Sequence, residues 1–332
     1  MSAALRVCVL GVSHYHTPIY IEAALEAGLR ITGVADPSSS LARRVAADLG
    51  CEASTDAAEL CRRQKPDFVI AFAPHRDMPA LGSSLVAEGI PFMLEKPCGI
   101  ESVQVDAVAQ AAAKKGVFAA VPFVWRHSHI AQRLRSALVG GDRLHYLIWR
   151  YIAGPPSRYT DSNSGWMLDP VISGGGATIN LAVHFIDLFR WLAGSEPEVT
   201  AARMSSSRWG LDVEDESLLV LETGSAMCTI ETGYHSSGAT GQADLLWSAT
   251  TDREHMVATS LFDLKADSFD GRTETITVPR KAFPYYVELI ESAVARLCSG
   301  QPPEAGLADM AAVLRCVEKA YDMARSSVRA PD

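Results

Sequence analysis

Three groups of residues in this 332-residue sequence have the types and spacing to do chemistry. Lys96 lies in Glu95-Lys96-Pro97-Cys98-Gly99, directly after the apolar segment 91–94. A lysine at the carboxyl end of a parallel strand faces the crevice where open α/β sheets bind ligands, and the proline fixes the chain's exit. A surface pair with Glu95 accounts for the same residues equally well. Asn180 and His184 stand four apart in Ser173-Gly174-Gly175-Gly176-Ala177-Thr178-Ile179-Asn180-Leu181-Ala182-Val183-His184, so on a regular helix they share one face. An imidazole there could trade a proton near neutral pH; a core histidine bonded to a backbone carbonyl is the plainer alternative. The third group is the turn Gly11-Val12-Ser13-His14-Tyr15-His16, with Asp36 placed 25 residues after Gly11. A dinucleotide needs a tight turn after the first strand, so that helix-end amides meet its pyrophosphate, and an acid after the second strand for its ribose hydroxyls. The turn is a degenerate G-x-S-x-x-H, and an ordinary turn glycine with a helix-capping Asp36 is the competing explanation.

The elements that must position these groups are legible along the first 120 or so residues. Strand-like runs at 5–10, 30–35, 67–73, 91–94 and 117–124 alternate with helical patterns at 18–27, 41–49, 80–87 and 103–115. Such alternation implies a doubly wound parallel sheet covered on both faces. Beyond residue 125 strand-like segments at 144–152, 199–204, 217–222, 226–232, 243–249 and 273–278 follow without intervening helices. That pattern indicates an α+β region with a largely antiparallel sheet. An amphipathic helix spans 177–192, with Ile179, Val183, Ile186, Leu188 and Trp191 apolar. Helices close the chain near 285–297 and 307–324. The reading is therefore a doubly wound α/β domain at 1–124 and an α+β domain at 125–332.

Composition narrows the class. Lys+Arg total 30 against 39 Asp+Glu, a net charge of −9, which argues against a phosphate-backbone partner. The first residues run straight into a strand pattern with no signal-peptide architecture, and the uncharged run 170–186 is too short and glycine-rich for a membrane span. Seven cysteines are scattered without C-x-x-C spacing, as expected of reduced thiols in a cytoplasmic protein. Cys98 places a thiol beside Lys96. The pairs His14/His16 and His127/His129 lack a completing carboxylate or cysteine at ligand spacing, so no metal site is expected. An acid at Asp36 repels a 2′-phosphate and favours NAD over NADP; Arg43 and Arg44 lie too far along the next helix to reverse this.

Taken together, VCVLGVSHYH, VADP, PDFVIAFAP, GIPFMLEKPCG, the Trp166…Asp169-Pro170…Ser173-Gly-Gly-Gly run with its helix, and EDESLLVLETGSA resemble the glucose–fructose oxidoreductase/inositol dehydrogenase/rhizopine-catabolism (Gfo/Idh/MocA) family over nearly the whole chain. The resemblance implies an NAD(P)-dependent oxidoreductase acting on a secondary alcohol or ketone of a sugar, polyol or derivative. It also implies that residues 1–124 form an NAD(P)-binding Rossmann domain and residues 125–332 a substrate-binding and oligomerisation domain whose last helices can pack back on the first, in a homo-oligomer, dimer or tetramer, built through the open sheet. By position Lys96 matches the family's active-site lysine and His184 its proton-transfer histidine. Asn180 stands where aspartate is common, and Arg126 matches an arginine that lies near the nicotinamide. Gly11, Ser13, His14, Asp36, Pro74, Glu95, Lys96 and Arg126 are expected around the cofactor. Trp166, His127 and Tyr159 are expected near the substrate, with Arg158 and His235 as further candidates. Three departures stand out. Asn180 orients an imidazole without adding charge, which opens the base role to Lys96. Met78 replaces a frequent histidine, and His14 and His16 replace loop glycine and hydrophobic residues. Two other functions remain open: an NAD-retaining glycoside hydrolase or lyase working by transient oxidation, and a non-catalytic dinucleotide-dependent regulator.

Overall fold

The computed structural model describes residues 4–237, 243–278 and 285–328. The first half alternates β1 (Arg6–Leu10), α1 (Thr17–Glu26), β2 (Arg30–Ala35), α2 (Ser39–Leu49), β3 (Glu52–Ser54) and α3 (Ala57–Gln64). It continues with β4 (Phe68–Ala71), α4 (Met78–Glu88), β5 (Phe92–Leu94), α5 (Ser102–Lys115) and β6 (Ala119–Ala120). These strands form a parallel sheet in the order β3-β2-β1-β4-β5-β6. Strands buried on both faces require continuous apolar runs, and Val7–Leu10 and the whole of β4 are buried. The order reverses between β1 and β4, and a ligand crevice opens at the carboxyl ends flanking such a reversal. Gly11 follows β1, Pro74 follows β4 and Glu95-Lys96 follows β5. The three sequence signals therefore share one edge of the sheet.

The second half begins with α6 (His129–Val139), β7 (Leu144–Ile152), α7 (Ser157–Asp161), α8 (Pro170–Ser173) and α9 (Val183–Ala193). Then come β8 (Glu198–Ser205), β9 (Glu216–Glu222), β10 (Met227–Gly233), β11 (Asp244–Thr251), β12 (Glu254–Ala258), β13 (Asp263–Ser268) and β14 (Thr273–Thr277). Helices α10 (Tyr286–Cys298) and α11 (Leu307–Val328) close the described chain. The eight strands make a sheet in the order β14-β13-β12-β11-β7-β10-β9-β8, antiparallel except for the β10–β7 pair. The fold is α/β, as the sequence implied. Helix α10 packs on α1, and α11 packs on α5 and β8.

Several short elements escape the sequence pattern. The segment 117–124 gives a two-residue strand and then a 3₁₀ turn at Val124–His127, because Pro122 cannot continue a ladder. The three-residue β3 has no alternation to read. Its neighbour α3 is announced only by a cap, with Asp56 accepting from the Glu59 amide at 2.9 Å. Helix α6 and strands β12 and β13 were also not anticipated.

The α9 helix lies beneath the large sheet. Phe185, Ile186, Leu188 and Phe189 are fully buried, each contributing about 1.5–3 kcal/mol of transfer free energy. Residues Pro170–Ala193 are long and apolar enough to cross a membrane by composition, yet 83% of the relevant window is buried within the fold. Their apolarity is that of a core helix.

Candidate active site

Lys96 leaves the sheet edge with its Nζ donating to the Asn180 carbonyl and to Asn180 Oδ1, both at 2.8 Å. Its neighbour Glu95 is buried and touches His16 Nδ1 at 3.3 Å. Burial lowers the Lys96 pKa from 10.5 to about 8, opposed by Glu95 and assisted by Arg158. The lysine is therefore no surface charge. It can hold or release a proton near neutral pH.

The helix that supplies Asn180 and His184 is not regular. Thr178–Ala182 is a π-type turn, which runs into α9. A π turn inserts a residue into the winding, and Asn180 and His184 converge on Lys96 rather than on each other. Asn180 does not orient His184, contrary to the sequence expectation. Its Nδ2 donates to the Tyr159 hydroxyl at 2.6 Å and the Tyr234 hydroxyl at 3.3 Å, and its oxygen serves Lys96. The turn is held by Glu214, whose carboxylate accepts from the Gly176 and Thr178 amides at 2.9 and 2.8 Å. A Cβ at Gly176 would meet the Glu214 carbonyl at 1.9 Å, so only glycine allows this approach.

His184 and Lys96 line one cavity of about 100 Å³, with His16, Arg158 and the rings of Tyr15, Trp125, Tyr151 and Tyr286. Among the described residues His184 Nδ1 is buried without a hydrogen-bond partner. Burial, and then the Lys96 charge, push its pKa well below 6.5, so the imidazole is neutral at pH 7.

On the other side of Lys96 lies the first turn. Gly11 has φ +79°, and a Cβ there would sit 2.1 Å from the Phe72 carbonyl. Asp36 is buried, accepting from the Ser13 amide at 2.7 Å and the Ser38 amide at 2.9 Å. It thus ties the turn to β2 rather than capping α2. The turn amides have internal partners: His14 donates to Gly11 O, Tyr15 to Ser164 Oγ, and His16 to His14 Nδ1. The His14 ring packs against Phe72 and Tyr15, with centroids 5.2 and 4.8 Å apart.

Other expected residues lie elsewhere. Arg126 is not beside the lysine cavity. Its guanidinium grips Asp187 through Nε at 2.8 Å and Nη2 at 2.6 Å and donates to the Glu304 carbonyl at 2.7 Å. Asp187 is fully buried, so the pair is structural. His127 sits beside Glu304 at 3.6 Å, His129 bonds the Tyr285 hydroxyl at 2.6 Å and His235 faces Asp215 at 3.2 Å. None of the three lines the cavity. Trp166 does reach the crevice, edge-on to His75 at 4.9 Å, and Tyr159 reaches it through Asn180. Met78 is buried in the core at the start of α4, and His75 comes nearer the crevice instead, Nδ1 on the Ser173 carbonyl at 2.8 Å. Its position directly after Pro74 at a strand end was a readable signal. Tyr15, Trp125, Tyr151 and Tyr286 were also missed, since aromatic residues drawn from a turn, a 3₁₀ turn, a strand end and a helix start share no spacing. Cys98 is buried, which pushes its thiol well above 9 and leaves it protonated beside Lys96. Among the described residues no cluster of His, Cys, Asp and Glu is arranged for a metal.

Against known proteins, residues 5–123 match the model of an oxidoreductase family with an NAD-binding Rossmann fold, and residues 137–251 match the GFO/IDH/MocA C-terminal domain. The chain belongs to the Gfo/Idh/MocA oxidoreductase family. Among family relatives, the rhizopine catabolism protein MocA of Rhizobium meliloti is 26% identical over 198 residues, 57% of this chain and 57% of that protein. Inositol 2-dehydrogenase 4 of Saccharopolyspora erythraea is 26% identical over 213 residues, 61% of this chain and 59% of that protein. The chain thus matches under two thirds of these relatives' lengths. Among solved structures, levoglucosan dehydrogenase in complex with NADH and levoglucosan superimposes with a TM-score of 0.84 at 17% identity, covering 97% of this chain and 98% of that one. A UDP-N-acetylglucosamine 3-dehydrogenase from Acidithiobacillus ferrooxidans gives 0.82 at 18% identity, covering 98% and 99%. These likenesses establish the Gfo/Idh/MocA fold.

The first turn fits the family's dinucleotide at its ribose end. Asp36 has used two of its roughly four acceptor sites, which leaves capacity for a ribose hydroxyl. At the pyrophosphate, the amides of Ser13, His14, Tyr15 and His16 must exchange their internal partners for phosphate oxygens. Gly11, Ser13, His14 and Asp36 are the residues that would hold the group.

Proposed function

We propose that this chain is an NAD-dependent dehydrogenase acting on a secondary alcohol or ketone of a sugar, polyol or related small molecule. The carrying observation is Lys96: buried, with its pKa lowered to about 8, and lining one cavity with a neutral His184. When bound, NAD supplies the hydride acceptor. Lys96 supplies the proton chemistry. Two of its N–H groups are committed to Asn180, so its third position faces the cavity as a lone pair or an N–H. The neutral amine takes the hydroxyl proton during oxidation, and the ammonium returns it during reduction. A pKa near working pH suits this role better than that of His184, which lies far below. His184 hydrogen-bonds the same oxygen and positions it. Asn180 is a positioning residue acting through Lys96. The ring-lined walls exclude water from the transfer.

In this reading residues 1–124 hold the cofactor and residues 125–332 supply the substrate side and the assembly surface. Leu218 and Met227 expose apolar side chains on neighbouring β9 and β10, which supports a homo-oligomer through that face. Free cysteines support a reducing, cytoplasmic setting. The test is NADH formation across a panel of polyols, sugars and sugar acids, with light scattering for the assembly. Substrate-dependent NADH that disappears in Lys96→Met supports the proposal. Turnover of a glycoside with bound NAD and no net NADH would replace it with a transient-oxidation hydrolase or lyase.

A further inference from the structure

Arg158 is a cation in search of a partner. It projects from α7 into the Lys96 cavity, where its guanidinium carbon lies 4.6 Å from the Tyr159 ring centroid and 5.3 Å from that of Tyr234. One terminal nitrogen donates to the Tyr159 hydroxyl at 2.5 Å, and Nε is buried with no hydrogen-bond partner among the described residues. No described carboxylate lies within ion-pair distance of it, and none lines the cavity. Lys96, a second cation when protonated, lines the same small space. The neighbouring phenols of Tyr15 and Tyr234 do not balance the charge, because burial holds them protonated far above neutral pH. Guanidinium cannot shed its proton, so this half-buried charge is left to water or to a ligand in the cavity. The turn around Gly11 and Asp36 is where the dinucleotide's phosphates belong, whereas Arg158 approaches from the second half of the chain, beside Asn180 and Tyr159.

We infer that Arg158 binds the carboxylate of the substrate, so the alcohol oxidised at Lys96 belongs to a polyhydroxy acid, such as a sugar acid, rather than to a neutral sugar. This rests on the dehydrogenase reading above and narrows its substrate class. With one N–H of Nη2 on the Tyr159 hydroxyl, the planar fork retains further terminal N–H groups to donate to a carboxylate. Tyr159 and Tyr234 hold the guanidinium flat through their ring faces, and Asn180 links the same two phenols to Lys96. The charge-recognising and proton-moving groups are therefore joined by one side chain.

The test is binding to the NAD-loaded protein, read from the fluorescence of Trp125 and its neighbours, with matched probes: gluconate against sorbitol, and glucuronate against glucose. At least one acid is expected to bind 30-fold or more tighter than its neutral partner. Arg158→Met should cut that preference to within threefold while leaving the Kd for NAD unchanged, and Arg158→Lys should keep part of it. Equal or tighter binding of both neutral probes overturns the inference, as does failure of all four to bind. Preference surviving in Arg158→Met, or a loss of NAD affinity in place of acid affinity, overturns it too. Should Arg158→Met fail to fold, Arg158→Lys and Arg158→Gln give the same comparison of charge kept against charge removed. Acid binding without NADH formation leaves the inference standing and removes the dehydrogenase reading. Turnover of neutral sugars without acid preference does the reverse.

Discussion

Two arginines flank the same helix region and meet opposite fates. Arg126 is buried against Asp187 of α9 in a two-pronged pair, and a third bond to the Glu304 carbonyl completes its satisfaction. Arg158 stands on the other side, near Asn180 and Lys96, with phenols and ring faces but no carboxylate among the described residues. A buried charge that the fold neutralises is part of the scaffold. One left unneutralised beside a cavity has its partner in solution. The same contrast separates Asp187 from His184, three positions apart on one helix: one is committed to Arg126, while the other keeps a bare Nδ1.

The contrast can be broken from the cavity side first. Lys96→Met should lower kcat by about 10²–10⁴-fold, the usual worth of a positioned proton carrier, with urea stability unchanged or slightly raised. A loss of stability with normal turnover per folded molecule would place Lys96 with Arg126 among the scaffold residues. From the scaffold side, Asp187→Ala strands the Arg126 guanidinium and should cost about 3–5 kcal/mol in urea unfolding, with kcat retained in the folded fraction.

Acid should attack the cavity region before the scaffold pair. Burial lowers the pKa values of His14, His16, His75 and His184, with His75 falling to about 3. Unfolded histidines near 6.5 bind protons that the folded ones refuse, so their contribution is complete above pH 6.5 and is lost as pH falls towards the folded values. Each costs about 1.4 kcal/mol per pH unit in that window. His75→Gln should flatten the urea-measured pH dependence by about one proton. The smallest effect tests the link between the regions: Asn180→Asp adds an anion to Lys96 and should move the rising limb of oxidation upward by about one pH unit. An unmoved limb would separate Asn180 from proton transfer.

Much of the frame was legible because its signals are periodic. Apolar runs gave the parallel sheet, and the absence of helices between later strands gave the second sheet. Lys96 was readable for the same reason, since a strand end fixes where its side chain goes. Asn180 was found but misassigned, because its partners Lys96, Tyr159 and Tyr234 come from distant parts of the chain and leave no local spacing to read. Arg126 was placed by its match to the family's arginine, and the pairing with Asp187, 61 residues away, has no local signature. Arg158 was visible only as one lining candidate among several. What makes it informative is the lack of a carboxylate nearby in space.

The central claim is that Lys96 carries the proton, and the pH dependence of kcat/KM for alcohol oxidation tests it most directly. The wild-type chain should rise about tenfold per pH unit below pH 8 and level above it, and Lys96→Met should be slow and flat across that range. A rate that falls through pH 8, or the same limb surviving in Lys96→Met, would contradict the account.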